Sequence, residues 1–151
     1  SMLWLFFPLA WLCVAAAPEG ETIPETYWLT VVITGRNDDW AGRFSDRLVV
    51  FVTGFCGGLT EAGLDVVELI LVEWNPPEQA DQLKSVLDPE MLGASCHLRI
   101  ITVDSKLHSK LPNSDRIELF EHHAKNAGVR RARGRWILCT NPDIVFTTAM
   151  I

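Results

Sequence analysis

Four mainly apolar runs, each with β-branched residues, constrain the fold of this chain more than any other feature. They cover residues 28–34, 66–72, 98–103 and 136–140. Runs of this length without polar alternation are typical of strands that are buried on both faces of a parallel sheet. The segments between them carry apolar residues at helical spacing, most densely in residues 44–62. This alternation predicts an α/β fold, with an open, mainly parallel sheet and helices on both of its faces.

Length and charge limit the number of domains and the kinds of partner that such a sheet can have. At 151 residues and 48% hydrophobic, the chain can bury one ordinary core, so we expect a single domain. Net charge is −6, yet residues 99–151 hold nine of the 13 basic residues and five of the 19 acidic ones. This asymmetry indicates either an anion site in the basic third or solvated helix faces. We expect no nucleic-acid partner for so acidic a chain.

The N-terminal apolar segment predicts a targeting function. Residues 3–17 are almost wholly apolar but too short to span a bilayer, and Ala15 and Ala17 precede Pro18 as at a signal-peptide cleavage site. We expect residues 1–17 to be a signal peptide or short signal anchor, or else a hydrophobic extension packed on the domain. Residues 18–27 predict a linker, because they hold two prolines and no periodicity. The domain would then occupy residues 28–151, in the ER or Golgi lumen or outside the cell, with membrane contact through the apolar segment.

The four cysteines lie far apart, with no C-x-x-C pair and no histidine at zinc-ligand spacing. Cys56 and Cys139 lie in apolar runs and are most simply interpreted as buried thiols. The cysteine pattern therefore leaves the redox compartment open.

Polar or aromatic side chains follow three of the predicted strands at their carboxyl ends. They are Asn37, Asp38 and Asp39 after the first strand, Glu73 and Trp74 after the second, and Asn141 and Asp143 after the fourth. The carboxyl ends of parallel strands meet at one edge of the sheet, where α/β folds bind ligands. A carboxylate in such a turn suits a cation, and Trp74 offers a stacking face. The simpler alternatives are that an aspartate caps the next helix and that Trp74 covers the sheet edge.

The shorter elements can also be predicted. Residues 78–87 indicate a surface helix with Leu83, Val86 and Leu87 facing inward. Ser114 or Asp115 can cap the helix before the fourth strand, with Glu118 three residues after Asp115 in a box-like arrangement, and Gly134 ends that helix. His122 and His123 are adjacent and point in different directions, so we interpret both as solvated histidines.

The basic residues of this helix and its end either face an anion or interact with the helix dipole; they are Lys125, Arg130, Arg131, Arg133 and Arg135.

Residues 126–146 carry a longer motif, N-A-G-V-R-R-A-R-G-R-W-I-L-C-T-N-P-D-I-V-F. Gly128 and Ala132 lie four apart, so both fall on one helical face and let the backbone approach what lies beneath. The pattern N-x-G-x-x-x-A-x-G, then an apolar strand, then N-x-D, resembles the nucleotide-sugar half of family-2-like glycosyltransferases of the GT-A fold. In that family the turn usually reads D-x-D, whereas here Asn141 stands at the first position and Asp143 at the last.

The resemblance implies a nucleotide-sugar-dependent glycosyltransferase, of which this chain is the donor-binding part. It implies a nucleoside-diphosphate sugar as donor, Mn²⁺ or Mg²⁺ as cofactor with Asp143 as its ligand, and the strand order 3-2-1-4. The donor-contacting residues that it implies are Asn37, Asp38, Asp39, Glu73, Trp74, Asn126, Arg130 and Asn141. In that family the acceptor-binding half and the catalytic base lie beyond the position of Ile151. No catalytic base is therefore assigned, and the acceptor, whether glycan, lipid or protein, stays open.

Two other classes compete with this interpretation. A non-catalytic α/β binding or interaction module would keep the glycosyltransferase fold without its chemistry, and Asn141 in place of the usual aspartate favours it. A flavodoxin-like or response-regulator domain is disfavoured, because the first strand lacks a phosphate-binding Ser/Thr loop at its carboxyl end.

Overall fold

A computed structural model of the chain describes residues 13–16, 27–38, 41–64 and 66–151. The predicted leader and linker fall almost entirely outside these ranges, as does Asp39. Residues 13–16 are described as a short strand, and the predicted linker ends at Tyr27, which begins the next strand.

A five-stranded sheet forms the centre of the described structure. Its strands are β1 (Cys13–Ala16), β2 (Tyr27–Gly35), β3 (Val67–Trp74), β4 (Cys96–Val103) and β5 (Gly134–Cys139). They lie in the order β1-β5-β2-β3-β4; the last four are parallel, and β1 pairs antiparallel with β5. All four predicted strands are present. Counted from β2, their order is the predicted 3-2-1-4 read from the opposite edge.

Residues that alternate along the two central strands divide the core into two layers. Val31 and Ile33 pack with helix α1 (Phe44–Glu61) on one face, whereas Val32 packs with helix α4 (Glu121–Val129) on the other. This division follows from the strand geometry, in which successive side chains point to opposite faces. The prediction of an open parallel sheet with helices on both faces is confirmed.

Short helical turns complete the described structure. They are α2 (Leu83–Val86), α3 (Ser105–His108) and two 3₁₀ turns at Pro89–Leu92 and Thr148–Met150. Across the described ranges, every helix is too short or too polar to cross a membrane.

The predicted helix start at Asp115 and Glu118 is wrong. Residues 109–120 form turns and irregular structure, and α4 begins only at Glu121, with Phe120 before it and no side-chain cap. Glu118 instead pairs through its carboxylate with Arg36 at 2.5 Å, and its carbonyl accepts from the Asn75 amide at 3.2 Å. Contacts with distant residues therefore replace the local capping box.

The predicted helix over residues 78–87 shortens to α2. The carboxylate of Glu73 accepts a hydrogen bond from the backbone N–H of Leu83 at 2.7 Å, at the first residue of α2. Residues 78–80 form a turn before this point. Leu83 and Leu87 are buried as predicted.

Two glycines of the N-x-G-x-x-x-A-x-G pattern lie where a side chain would not fit. A Cβ on Gly128 would meet Val32 Cγ1 at 2.4 Å, so the predicted close contact of α4 with the sheet is confirmed. Gly134 does not end the helix as predicted, because it is the first residue of β5. A Cβ there would lie 2.4 Å from the backbone nitrogen of Thr30 in β2.

The interpretation of Cys56 as a thiol is wrong, because Cys56 and Cys96 form a disulfide. The bond joins α1 to the first residue of β4 across 40 positions, with 5.6 Å between the Cα atoms. These residues share one side of the core once the chain has folded, which spacing along the sequence cannot reveal. Cys139 is buried, as predicted.

Candidate functional site

A cleft of about 430 Å³ lies at the carboxyl edge of the sheet, where the ends of β2 and β5 meet. Strand β2 supplies the turn with Arg36 and Asp38, and β5 supplies the turn with Asn141 and Asp143. The first turn of α1 and the segment that enters α4 close the sides; their lining residues include Phe44, Arg47, Glu118 and Glu121. The sheet order reverses between β2 and β5, which is where open α/β sheets bind ligands. The predicted convergence of Asp38 with Asn141 and Asp143 is therefore confirmed.

Asp143 forms an ion pair with Arg47 across the mouth of this cleft. The guanidinium Nε of Arg47 lies 2.7 Å from Oδ1 of Asp143, and the two side chains are 28% and 47% exposed. Arg47 also donates to the carbonyl of Gly42, and its guanidinium lies 5.8 Å from the centre of the Phe44 ring. Asp143 therefore lines the cleft with the guanidinium of Arg47 beside it.

Arg36 connects three segments at the back of the cleft. Its guanidinium pairs with Asp38 at 2.7 Å and with Glu118 at 2.5 Å, while Nε donates to the carbonyl of Asn75 at 2.7 Å. The side chain is 13% exposed. Because each bond reaches a different segment, Arg36 holds the ends of β2 and β3 against the chain that enters α4.

Lys125 connects α4 to the turn after β5. Its ammonium donates to Glu121 at 2.6 Å and to the side-chain oxygen of Asn141 at 2.7 Å. The amide oxygen of Asn141 thus has a cationic donor in this structure. Five basic residues were predicted near the end of this helix. Lys125 is the one that bonds to the turn after β5, through Asn141, which lines the cleft.

The lining of the cleft is net acidic. Four carboxylates line it, from Asp38, Glu118, Glu121 and Asp143, against two guanidiniums, from Arg36 and Arg47, and the ammonium of Lys125, which pairs with Glu121. A site with this balance attracts cations and repels an unaccompanied anion.

Glu73 and Trp74 lie inside the fold, not in the cleft lining. Glu73 is fully buried, and its carboxylate accepts from Leu83 N at 2.7 Å and from Thr102 Oγ1 at 3.1 Å. Trp74 is 4% exposed, and its Nε1 donates to Nδ1 of His108 at 2.9 Å. Both residues are the last of β3, so the strand ends two residues later than predicted and includes them.

The remaining predicted site residues occupy different places. Asn37 donates to the carbonyl of Asp81 and accepts from Ser45 Oγ, each at 2.9 Å, which joins the loop after β2 to α1 and to the loop before α2. Asn126 accepts from Arg130 Nε at 3.4 Å, a contact within the end of α4. Asn37, Asn126 and Arg130 therefore do not line the cleft. Asp39 lies outside the described residues.

Arg47 is the main residue of this cleft that sequence reasoning missed. It lies in the first turn of α1, directly after the loop that follows β2. A helix that follows a strand of a parallel sheet begins at the carboxyl edge, so a basic residue in its first turn is a detectable signal. The partner of Arg47 is 96 positions away, and the sequence gives no indication of that pairing.

A second cleft of about 490 Å³ adjoins the first. Arg47, Pro142 and Asp143 line both clefts, while Val50, Phe51 and Val145 provide an apolar wall to the second one. The Arg47–Asp143 ion pair therefore lies between two neighbouring cavities.

Within the described ranges, no cluster of three or more His, Cys, Asp and Glu side chains is arranged to hold a metal ion. His122 and His123 are both exposed, as predicted. A cation at the edge of the sheet would therefore depend on Asp143 and on oxygen atoms from a ligand and from water.

The fold and the cleft define an open α/β domain with a polar site at its switch point. No family model matches the chain, and no curated protein is significantly similar to it.

Proposed function

We propose that this chain is the nucleotide-sugar-binding part of a glycosyltransferase. The observation that carries the proposal is the meeting of Asp38, Asn141 and Asp143 in one cleft, at the reversal of the strand order. An α/β sheet offers a ligand its carboxyl-edge loops at this point. The volume of about 430 Å³ lies within the range of small-molecule sites.

The charge of the cleft supports a divalent cation as part of the ligand. A donor diphosphate is anionic, and a lining with four carboxylates and two guanidiniums would repel it. Mg²⁺ and Mn²⁺ sites for phosphates often use one or two carboxylates, with phosphate oxygens and water as the other ligands. The half-exposed carboxylate of Asp143 fits this pattern.

Asp143 would hold the cation, and the neighbouring residues would orient the donor. The cation, when bound, would neutralise charge on the diphosphate leaving group. Lys125 fixes the side chain of Asn141 beside Asp143, and Arg36 keeps Asp38 at the opposite wall. The ring of Phe44 adds an apolar surface to the lining of the cleft.

The Cys56–Cys96 disulfide supports a secretory location for this activity. Structural disulfides persist in the ER lumen and outside the cell, and they are rare in a reducing cytosol. We therefore propose the secretory lumen or the extracellular space, with the acceptor left open.

Calorimetry with ADP, GDP, UDP and CDP, each with and without Mn²⁺, tests the donor site. We expect the parent chain to bind at least one of them in a manganese-dependent way. Asp143→Asn should abolish that dependence without unfolding the chain, because the side chain is 47% exposed. Asn141→Asp should preserve or strengthen it, since a second carboxylate joins the turn.

Asp115→Asn is the matched control, because it removes a carboxylate that is 80% exposed and lies outside the cleft lining. It should bind like the parent chain. Equal binding by the parent and Asp143→Asn, or no manganese dependence in either, would remove the metal-assisted donor site.

A non-catalytic interaction module is the second candidate. The observation in its favour is that Arg47 lies 2.7 Å from Asp143, so the charge of this carboxylate is already balanced without a bound cation. Failure of all four nucleotides to bind the parent chain would favour this candidate over the enzyme.

A further inference from the structure

The Arg47–Asp143 ion pair separates the two clefts at the carboxyl edge of the sheet. Both residues line the cleft of about 430 Å³ and also the cleft of about 490 Å³. The first cleft carries the charged side chains of Arg36, Asp38 and Glu118 among its apolar lining residues, whereas the second contains Val50, Phe51 and Val145. A change of partner by Arg47 would therefore alter the boundary between a charged cavity and a more apolar one.

Of the two guanidiniums in the first cleft, Arg47 is the better suited to exchange its partner. Arg36 is 13% exposed and bonds to Asp38 in its own turn and to two other segments, so moving it would remove contacts with the end of β3 and with the entry to α4. Arg47 is 28% exposed, and its partner Asp143 is 47% exposed on a short turn. The other contacts of Arg47 include the carbonyl of Gly42 and the ring of Phe44, both next to the start of α1, so they do not depend on the turn after β5. An ion pair with this exposure contributes little to stability, so a competing ligand can replace it at low cost.

Asp143 and Arg47 prefer different parts of a metal–phosphate ligand. A carboxylate is a hard oxygen ligand for a divalent cation, whereas a guanidinium matches the geometry of phosphate oxygens through paired N–H donors. The two side chains lie 2.7 Å apart, so a cation and its phosphate arriving together could engage both. Each residue would then lose one partner and gain another of the same charge.

We propose that a bound ligand breaks the Arg47–Asp143 ion pair and thereby joins the two clefts, and that Arg47 is the phosphate-binding residue of the first cleft. We call this ion pair the gate. This inference rests on the proposed donor-binding function. Without ligand, Arg47 neutralises Asp143 and competes with a cation for its carboxylate. With a nucleoside diphosphate and cation, Arg47 turns to the phosphate, Asp143 takes the cation, and the two clefts become continuous. The nucleotide would occupy the first cleft, and the group attached to its terminal phosphate would enter the second one.

The gate predicts effects of opposite sign for one substitution, Arg47→Gln. Binding of Mn²⁺ alone, followed by the electron paramagnetic resonance signal of the free ion, should become about two- to fivefold tighter, because the competing guanidinium is gone. Binding of a nucleoside diphosphate in saturating Mn²⁺ should weaken at least about tenfold, because the charge-assisted bonds to phosphate are lost. Arg47→Lys should recover part of the nucleotide affinity, since it keeps the charge but not the paired donors.

Arg116→Gln is the matched control, since it removes the same charge from a side chain that is 81% exposed and lines neither cleft. It should leave both affinities unchanged. Shifts in Arg116→Gln as large as those in Arg47→Gln would show a general charge effect and overturn the gate.

The outcomes separate the gate from the function on which it rests. If the parent chain binds no nucleoside diphosphate, the proposed function fails. If the parent binds and Arg47→Gln binds both ligands as the parent does, or weakens both, the gate fails while the donor site stands. Circular dichroism of each variant must match the parent before the affinities are compared.

Discussion

The indole Nε1 of Trp74 donates a hydrogen bond to Nδ1 of His108 at 2.9 Å, in a part of the core where both side chains are buried. An indole N–H can only donate, so Nδ1 of His108 carries the lone pair. The hydrogen of the ring then lies on Nε2, which faces the carbonyl of Ser114 at 3.1 Å. The rings of Phe120 and His123 pack against Trp74 at 6.2 and 6.3 Å. One histidine therefore holds the end of β3 to the turns that lead to the cleft.

Replacing His108 tests this role at the residue scale. His108→Phe keeps a ring but leaves the Trp74 N–H and the Ser114 carbonyl without their partner, so we expect a loss of about 1–3 kcal/mol in the free energy of unfolding. His122→Phe is the control, because His122 is exposed in the same region. Urea denaturation measures both. Equal midpoints for the two variants would show that the hydrogen bonds of His108 contribute nothing to stability.

At the scale of elements, the pairing of β5 with β2 decides whether the turns after these two strands meet to form the cleft. Gly134 is the first residue of β5, and its N–H donates to Thr30 Oγ1 at 2.8 Å. Thr30 in turn donates to the buried carboxylate of Glu68 at 2.7 Å, and Arg99 pairs with the same carboxylate at 2.8 Å. These bonds lie near the amino end of the sheet, so they set the register that delivers Asp143 at the opposite edge.

Gly134→Ala should disturb that register. Its Cβ would lie 2.4 Å from the backbone nitrogen of Thr30, and a central strand cannot yield as a flexible side chain can. We expect a loss of about 1–3 kcal/mol in the free energy of unfolding. Gly54→Ala in α1 should have the opposite sign, with a gain of up to about 1 kcal/mol, because no atom lies within 4 Å and alanine favours helix. Thermal denaturation distinguishes the two, and a stabilised Gly134→Ala would contradict the close approach.

The elements also show what the sequence can predict. Strands β2 and β3 are recognisable because a parallel strand buried on both faces has a mainly apolar run. Strands β4 and β5 have apolar runs too, although both are partly exposed. The start of α4 is not recognisable, because Glu118 bonds to Arg36 and Asn75 from the other side of the cleft. Half of the site follows the same logic: Asp38, Asn141 and Asp143 are predictable from their places after strands. Arg47 acquires its role only when α1 and the turn after β5 come together.

At the scale of the whole molecule, the core has two layers that are tied differently. The α4 layer depends on close packing against Val32 and on the Trp74–His108 contact. The α1 layer has the same kind of apolar packing and in addition the Cys56–Cys96 disulfide, which joins it to the edge strand β4. Edge strands lack a second neighbour, so a covalent link there secures the part of the sheet farthest from β5.

Reduction of the Cys56–Cys96 bond tests that arrangement and the compartment that it implies. A crosslink across 40 positions limits the unfolded chain, so its loss should lower the free energy of unfolding by about 2–4 kcal/mol. Urea denaturation of the parent chain, with and without dithiothreitol, measures the difference. The Cys56→Ala/Cys96→Ala double variant controls for other effects of the reductant, and its stability should be the same in both conditions. A parent chain that is equally stable with and without reductant would show that the bond is not part of the folded protein in solution, and the argument for an oxidising compartment would then fail with it.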